Sequence, residues 1–287
     1  MDQEKVKQVI IKKIDHLPTL PEMIQKLVSL VQDERTSARD LSNLISYDQA
    51  ISSRLLKVAN SAYYGFLREV ATIHHAIVVL GFKEVKNLSL GIAVFDSLKG
   101  VTNEASLRWN EFWKHSVGCS LAARIICKKV GVINEEIAFT TSLLHDIGKL
   151  VLDNFFTREY KMVLEKAQVE RANLVDVEKE ILGFTHADVG KLVSSKWKFP
   201  PSLIFPIAYH HQVEEVDQEY ILLTSIVHLA DIICKKAGIG NSGDSNIPLF
   251  QKAATKRLCI KEKEIEYMIK ELQNEEEKVQ TFLSAIQ

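Results

Sequence analysis

A pair of adjacent residues, His145 and Asp146, has the types and the setting to bind a metal ion. The pair lies inside the apolar run LLHDIGKLVL, residues 143–152. An imidazole beside a carboxylate is costly to bury without a partner, and a divalent metal satisfies both groups at once. Neighbouring residues of a helix point about 100° apart, so both can turn toward one ion only at a helix edge. The pair therefore predicts a metal site.

Further candidate ligands precede and follow this pair. Asp231 lies in an otherwise apolar helical stretch, SIVHLADIIC, where an unpaired buried carboxylate would be expensive. With His115 added, the order His, His-Asp, Asp gives a mixed set that suits iron, manganese, zinc or nickel and suits calcium poorly. A second ion would use Asp146 as a bridge together with three more histidines, which are His186, His210 and His211.

Two metal ions about 3.5–4 Å apart are the usual device for phosphoester hydrolysis. Lys149 follows one helical turn after His145 and is a candidate contact to an anionic group such as phosphate. His228 precedes Asp231 by one turn, and packing is favoured over a role in orienting that carboxylate. The alternative is that the histidines are ordinary core residues, since nine in 287 residues is near what any soluble protein contains.

The composition bounds the class of protein. Lys+Arg number 36 and Asp+Glu 37, which gives a net charge of -1. The composition thus lacks the excess of basic residues that is typical of nucleic-acid binding, and no nucleic-acid partner is expected. The four cysteines are scattered, and Cys119 and Cys127 fall in an apolar helical pattern, which predicts reduced, packed thiols. The charged N-terminus does not resemble a signal peptide, and no apolar run approaches the ~20 residues of a membrane span. A soluble, cytoplasmic protein without a membrane partner is expected.

Apolar residues recur at helical spacing almost throughout, and 12 Gly and 6 Pro are few, so the predicted fold class is all-α. A length of 287 residues suits two lobes. A polar break at 101–106 separates an N-terminal helical lobe (1–105) from a helical lobe with all the candidate ligands (106–240). Residues 241–287 are predicted to form a turn-rich linker and a charged helix at about 261–284, whose apolar stripe favours docking.

Individual helices follow from the same periodicity. A short amphipathic helix is predicted for 2–14, and the segment 74–98 indicates two helices that meet at Gly81. A long helix from about Leu107 to Lys129 carries His115. The remaining helices of the second lobe are predicted near 134–146, 157–169, 173–182, 186–197, after Pro201, and at 220–237.

The same residues resemble a known family. The order His115, His145-Asp146, Asp231 is similar to the HD superfamily of metal-dependent phosphohydrolases. The stretches LPTLP (17–21), ANSAYYG (59–65) and AIVVLG (76–81) in combination resemble the HDOD domain, the HD-related output domain of bacterial signalling proteins. The resemblance covers roughly residues 14–240. It implies a two-lobed helical domain with an HD-like second lobe and a role in bacterial signal transduction.

The chain departs from the common HDOD pattern in its metal ligands. Many HDOD proteins have lost the HD ligands and are thought to act as non-catalytic output or protein-interaction modules, whereas this sequence keeps seven candidates. Those positions, with Lys149, match the fuller set of the related HD-GYP phosphodiesterases, which cleave cyclic di-GMP. After Asp231 the chain reads IICKKAGIGNSGDS, without the Gly-Tyr-Pro signature of those enzymes. This difference argues against cyclic di-GMP hydrolysis and leaves metal binding intact.

Three hypotheses remain open. The leading one is a regulatory HDOD module that binds one or two divalent ions and acts through a signalling protein partner or a nucleotide ligand. The second is a metal-dependent phosphohydrolase acting on a nucleotide or cyclic dinucleotide. It requires a cleft open to water above the metal, with Lys149 holding a phosphate oxygen. The third is an α-helical adaptor in which no metal binds. The sequence does not indicate the oligomeric state.

Overall fold

All regular structure in the described part of the chain is helical, and this confirms the all-α prediction. The computed structural model describes residues 22–32, 36–98, 106–131, 134–244 and 246–287. The predicted helix at 2–14, the LPTLP stretch and most of the polar break at 101–106 lie outside these ranges. None of the described helices is both long and apolar enough to cross a membrane.

The described residues up to 98 form the helices of the N-terminal part. These are α1 (Glu22–Gln32), α2 (Ala38–Tyr47), α3 (Gln49–Ala59), α4 (Ile73–Leu80) and α5 (Phe82–Leu98). The prediction of two helices meeting at Gly81 is confirmed. Ser37 begins α2 with a capping box, in which its hydroxyl accepts from the Asp40 N–H and the Asp40 carboxylate accepts from the Ser37 N–H.

The second part of the chain is built around the long helix α6, which packs against α7 and α13. Trp113, Val117 and Cys119 are among the fully buried residues of α6, so this helix forms the centre of the core. The helices are α6 (Trp109–Val130), α7 (Glu135–Leu144), α8 (Ile147–Phe155), α9 (Thr157–Glu170), α10 (Leu174–Leu182), α11 (His186–Lys196), α12 (Pro201–Tyr209) and α13 (Ile221–Ala237). A short 3-10 turn, Val213–Glu215, precedes α13.

The C-terminal segment is folded back onto the rest of the protein. It contains α14 (Lys252–Leu258), α15 (Glu262–Asn274) and α16 (Glu276–Ile286). The prediction of a single helix at about 261–284 is therefore wrong, because the backbone leaves helical geometry at Glu275. Helix α16 packs against α6 and α3 and buries Val279 and Phe282 there, so the apolar stripe docks as predicted.

A largely buried cation, Arg124 of α6, joins the N-terminal part to the second part. Its guanidinium donates hydrogen bonds to the Glu84 carboxylate of α5 and to the Tyr63 hydroxyl, and it lies 4.4 Å from the centre of the Phe139 ring. Tyr64 also donates to Glu84. Both tyrosines belong to the ANSAYYG stretch, so this motif contributes a polar contact between the two parts of the chain.

We expect Glu84→Gln to lower the free energy of unfolding by about 2–4 kcal/mol, because it leaves the Arg124 guanidinium buried without its counter-charge. The side chains of Glu84 and Arg124 are only 8% and 12% exposed, so water compensates little. Urea denaturation measures the loss. The matched control is Glu165→Gln, which removes an exposed pair with Lys161 and should change stability by less than about 0.5 kcal/mol. Equal effects of the two substitutions would contradict the role assigned to Arg124.

Candidate metal centre

The two adjacent ligand pairs both lie at helix ends. His145 and Asp146 connect the end of α7 at Leu144 to the start of α8 at Ile147. His210 and His211 follow the end of α12 in the same way. Because the helical spacing is interrupted there, neighbouring side chains enter one buried space. His145 Nε2 lies 3.3 Å from Asp146 Oδ2.

One group of candidate ligands combines α6, the junction at His145, and α13. The ligand atoms of His115, Cys119, His145 and Asp231 all lie within 4.8 Å of one another. His115 Nε2 is 3.1 Å from Asp231 Oδ1 and 3.3 Å from Cys119 Sγ. His145 Nε2 is 3.7 Å from the same Asp231 oxygen. Two imidazoles, a carboxylate and a thiol therefore converge on a space the size of an ion.

Another group lies on the other side of Asp146. The ligand atoms of Asp146, His186, His210 and His211 also fall within 4.8 Å of one another. Asp146 Oδ1 is 3.2 Å from His186 Nε2 and 3.6 Å from His210 Nε2. The other oxygen, Oδ2, faces His145. The Asp146 carboxylate thus stands between the two groups, as a bridging ligand would.

The protein fixes which imidazole nitrogen faces the centre. His145 Nδ1 lies 2.7 Å from the Ser142 carbonyl oxygen, and His210 Nδ1 lies 2.8 Å from the Ile207 carbonyl oxygen. A carbonyl can only accept, so each Nδ1 carries a proton, and Nε2 is the nitrogen that faces the centre. Metal-ligating histidines are held in this way.

Glu178 of α10 gives His186 the same orientation. Its carboxylate lies 2.8 Å from His186 Nδ1 and accepts hydrogen bonds from the His186 backbone N–H and the Tyr160 hydroxyl. Glu178 is not among the site residues predicted from the sequence. A signal was present, because Glu178 lies at helical spacing between Leu174 and Leu182, on the buried face of α10.

Unpartnered atoms and charge both indicate that this centre fits a divalent cation. His145 Nε2 and His210 Nε2 are buried and make no hydrogen bond within the described structure. The buried charges around them are unequal, with four carboxylates and two ammonium groups. Once His145 and His186 each release a proton, as metal ligands must, a divalent cation would balance this surplus and accept the imidazole lone pairs. The charged groups are Asp146, Glu178, Asp231, Asp244, Lys149 and Lys235.

Nearby carboxylates raise the pKa of two histidines of the site. Burial favours neutral histidine, yet the Asp146 carboxylate raises the pKa of His145 well above its ordinary value. Against the same burial, Glu178 raises the pKa of His186 to about 9, whereas burial lowers the pKa of His210 to about 4. Burial would also raise the pKa of Asp146, but His145 and Lys149 outweigh it and hold that pKa well below its usual range. The central carboxylate is therefore ionised.

Lys149, the predicted phosphate contact, is fully buried and paired within the protein. Its Nζ lies 2.8 Å from Asp146 Oδ2, 3.1 Å from Ser242 Oγ and 2.6 Å from Asp244 Oδ2. Asp244 belongs to the loop after α13, and Lys235 Nζ also lies 3.1 Å from its carboxylate. A carboxylate of this chain thus occupies the position in which the sequence analysis expects a phosphate.

The candidate ligands are covered by protein. His115 and Asp146 are 1% exposed and Asp231 is 2% exposed, while His145 and two other histidines are completely buried. Of the seven predicted ligands, only His211 is partly exposed. The hydrolase hypothesis requires a cleft open to water above the metal, and the described residues leave the ligands without such access.

Two further residues take roles that the sequence analysis did not assign. Cys119 is buried as predicted, but its sulfur also faces His115, and the spacing of four residues on one helix was the available signal. His228 Nδ1 donates to the His210 carbonyl oxygen, and its Nε2 accepts from the Gln251 N–H. His228 therefore fixes the backbone at His210 and leaves the Asp231 carboxylate to other partners.

Gly148 allows α8 and α11 to approach closely enough to place His186 beside Asp146. A Cβ at position 148 would overlap the carbonyl oxygen of His186 and lie 2.8 Å from the Gly190 nitrogen. Both obstacles are backbone atoms, which have little freedom to move. The glycine of HDIGK is thus a packing requirement of the site.

We expect Gly148→Ala to lower the free energy of unfolding by about 3 kcal/mol, because the two helices must separate. Chemical denaturation measures this loss. Gly190→Ala is the matched control on the opposite helix. Its Cβ would lie 2.8 Å from a side-chain methyl group of Ile207 and 3.8 Å from the Gly148 nitrogen, so a smaller loss, about 1 kcal/mol, is expected. A neutral Gly148→Ala would contradict the close approach.

Comparison with known proteins agrees with the fold. Residues 17–213 match the HDOD domain, and the chain belongs to this family. An uncharacterized protein of Treponema pallidum (strain Nichols) is 25% identical over 231 residues, which are 79% of this chain and 44% of that protein. The chain thus spans less than half the length of this relative.

Solved structures share the fold at low sequence identity. An HDOD domain protein of unknown function from Geobacter sulfurreducens has a TM-score of 0.82 and 21% identity, covering 99% of this chain and 97% of that one. A candidate phosphohydrolase from Shewanella amazonensis SB2B has a TM-score of 0.76 and 24% identity, covering 96% and 97%. A candidate signal transduction protein from Marinobacter aquaeolei VT8 has a TM-score of 0.81 and 19% identity, covering 100% and 66%.

Proposed function

We propose that this HDOD protein is a regulatory module of bacterial signal transduction that binds one or two divalent transition-metal ions, namely iron, manganese, nickel or zinc. The observation that carries the proposal is the set of anchored imidazoles, whose Nε2 atoms face a buried carboxylate without hydrogen bonds. The protein would act through a signalling protein partner or a nucleotide ligand. The description of the Marinobacter protein as a candidate signal transduction protein is compatible with this role.

The two ligand groups define where ions would bind. One ion would be held by His115, His145 and Asp231, with Cys119 as an additional ligand, and the other by the group around Asp146. The second group contributes His186, His210 and His211. A bound ion would supply positive charge that neutralises the buried carboxylates. The ligands come from α6, α11, α13 and two helix ends, so their arrangement couples metal content to the packing of these elements.

The burial of the site favours regulation over hydrolysis. Hydrolysis needs a coordination position open to substrate and water, and the candidate ligands are covered. Lys149, the residue expected to hold phosphate, is bound to Asp146 and Asp244. Metal in such a site would support the fold or gate a response.

The test of metal binding is elemental analysis of untagged protein purified without chelators. We expect about one or two equivalents of a transition metal per chain, because the two ligand groups are preformed. We also expect removal of the metal to lower the melting temperature, since binding to the native state stabilises it. Metal well below one equivalent that is not recovered on adding ions would contradict the proposal and favour the adaptor hypothesis.

Asp146→Asn should reduce both the metal content and the melting temperature, because this carboxylate lies between the two ligand groups. Metal analysis and thermal unfolding measure the two effects. Asp176→Asn on the exposed side of α10 is the matched control and should change neither. If Asp146→Asn raises the melting temperature and chelation has no effect on the parent protein, the carboxylate is not a metal ligand.

The alternative function is that of a metal-dependent phosphohydrolase acting on a nucleotide or cyclic dinucleotide. The assembly of all seven predicted ligands favours it, and a Shewanella protein with this fold is described as a candidate metal-dependent phosphohydrolase. In this case Lys149 would contact the phosphate.

Metal-loaded protein assayed with nucleotides, cyclic dinucleotides and a chromogenic phosphodiester distinguishes the two functions. From the buried ligands we expect no turnover that depends on the site. Turnover abolished by both His145→Ala and Asp146→Asn would instead establish the hydrolase and refute a purely regulatory role. Turnover that survives both substitutions would be attributed to a contaminating enzyme.

A further inference from the structure

A polar cavity of about 720 Å³ lies beside the metal centre, with Asp244 in its wall. The start of α6, the C-terminal half of α9 and the loop after α13 form its sides. We propose that this cavity binds a phosphate-bearing small molecule of nucleotide size. The cavity contains none of the seven predicted ligands, so this inference does not depend on the proposed metal binding.

The cavity carries positive charge that the described residues do not neutralise. Arg108 and Arg171 line it, and neither guanidinium has a carboxylate partner in the parts of the chain that the structure describes. The Asp244 carboxylate is already paired with two ammonium groups. Although its burial opposes ionisation, the ammonium groups of Lys149 and Lys235 lower its pKa to about 2. Two unmatched guanidinium groups in one concave site are suited to a phosphate, which they can bind through paired hydrogen bonds.

A carboxylate of this chain already binds the segment before α6. This helix has 22 residues and begins beside Arg108 without a side-chain cap. The preceding N–H groups are already used, because Ser106 and Leu107 donate to the Asp153 carboxylate at 2.8 and 2.9 Å. A ligand in the cavity would therefore be held by the two arginines and not by these N–H groups.

The loop that completes the cavity is tightly fitted. Gly243 has a positive φ of 94°, and a Cβ there would lie 2.8 Å from the side chains of both Leu107 and Leu164. The Gly243 N–H donates to the Asn241 side chain, and the Asn241 N–H donates to the Glu111 carbonyl oxygen. The cavity wall is thus shaped before any ligand arrives.

The size and lining of the cavity indicate the class of ligand. Sites for small molecules and cofactors usually measure about 300–1,000 Å³, and inorganic phosphate would fill a small part of this one. Leu107 and Leu164 offer apolar surface, and the amides of Gln168 and Asn241 offer hydrogen-bonding groups. A nucleotide combines the required parts, because its phosphate suits the arginines and its base suits an apolar wall with a few polar groups.

The experiment is calorimetric titration of the full chain, freed of metal with a chelating resin, with AMP, GMP, cyclic AMP, cyclic di-GMP and inorganic phosphate as probes. We expect at least one nucleotide to bind more tightly than inorganic phosphate. Arg108→Gln and Arg171→Asn should each weaken that binding about tenfold or more, because each removes a charge-assisted contact. Asparagine is chosen at 171 because Arg171 has a φ of 51°, which asparagine tolerates.

The matched control is Arg158→Gln, an exposed arginine of α9 that does not line the cavity, and it should leave binding unchanged. Circular dichroism verifies that each variant is folded. The proposal is overturned if no nucleotide binds at millimolar concentration. It is also overturned if binding survives both cavity substitutions, or if inorganic phosphate binds as tightly as every nucleotide.

Discussion

The burial of one carboxylate, that of Asp146, determines much of the arrangement around it. An ionised carboxylate with no water costs several kcal/mol unless cations or donors surround it. Imidazoles approach both of its oxygens, and the Lys149 ammonium lies 2.8 Å from one of them. His145 and Lys149 are close to Asp146 in sequence, whereas His186 comes from α11, so the charge at the centre depends on how the helices of the second part pack. Gly148 contributes by letting two helix backbones approach.

Much of this could be predicted from residue types and periodicity. The all-α fold class follows from the helical spacing of apolar residues. The break between α4 and α5 follows from Gly81, because a residue without a side chain commonly ends a helix. His145-Asp146 was recognisable because a polar pair inside an apolar run requires a partner. The same reasoning identified Asp231 and the His210-His211 pair, and the structure brings all of these side chains together.

The rest depended on contacts that local sequence does not encode. The spacing of Cys119 from His115 becomes informative only when it is known which face of α6 meets Asp231. Asp244 lies 95 residues after Lys149, and no spacing rule connects a loop to a helix at that distance. No glycine or proline marks the break at Glu275, and the apolar pattern of the two C-terminal helices continues across it. The sequence therefore reads as one helix. Tertiary packing decided these features.

The Asp244 contact has a consequence for any molecule that approaches Lys149. The carboxylate is covalently tethered through a short loop, so it competes as an intramolecular ligand with an effective concentration on the order of millimolar or above. A free phosphate ester at micromolar levels would displace it only with an affinity for Lys149 that is about a thousandfold higher. Access to Lys149 therefore depends on opening of this loop. The rate of access would be set by how often residues 241–244 move away from the lysine.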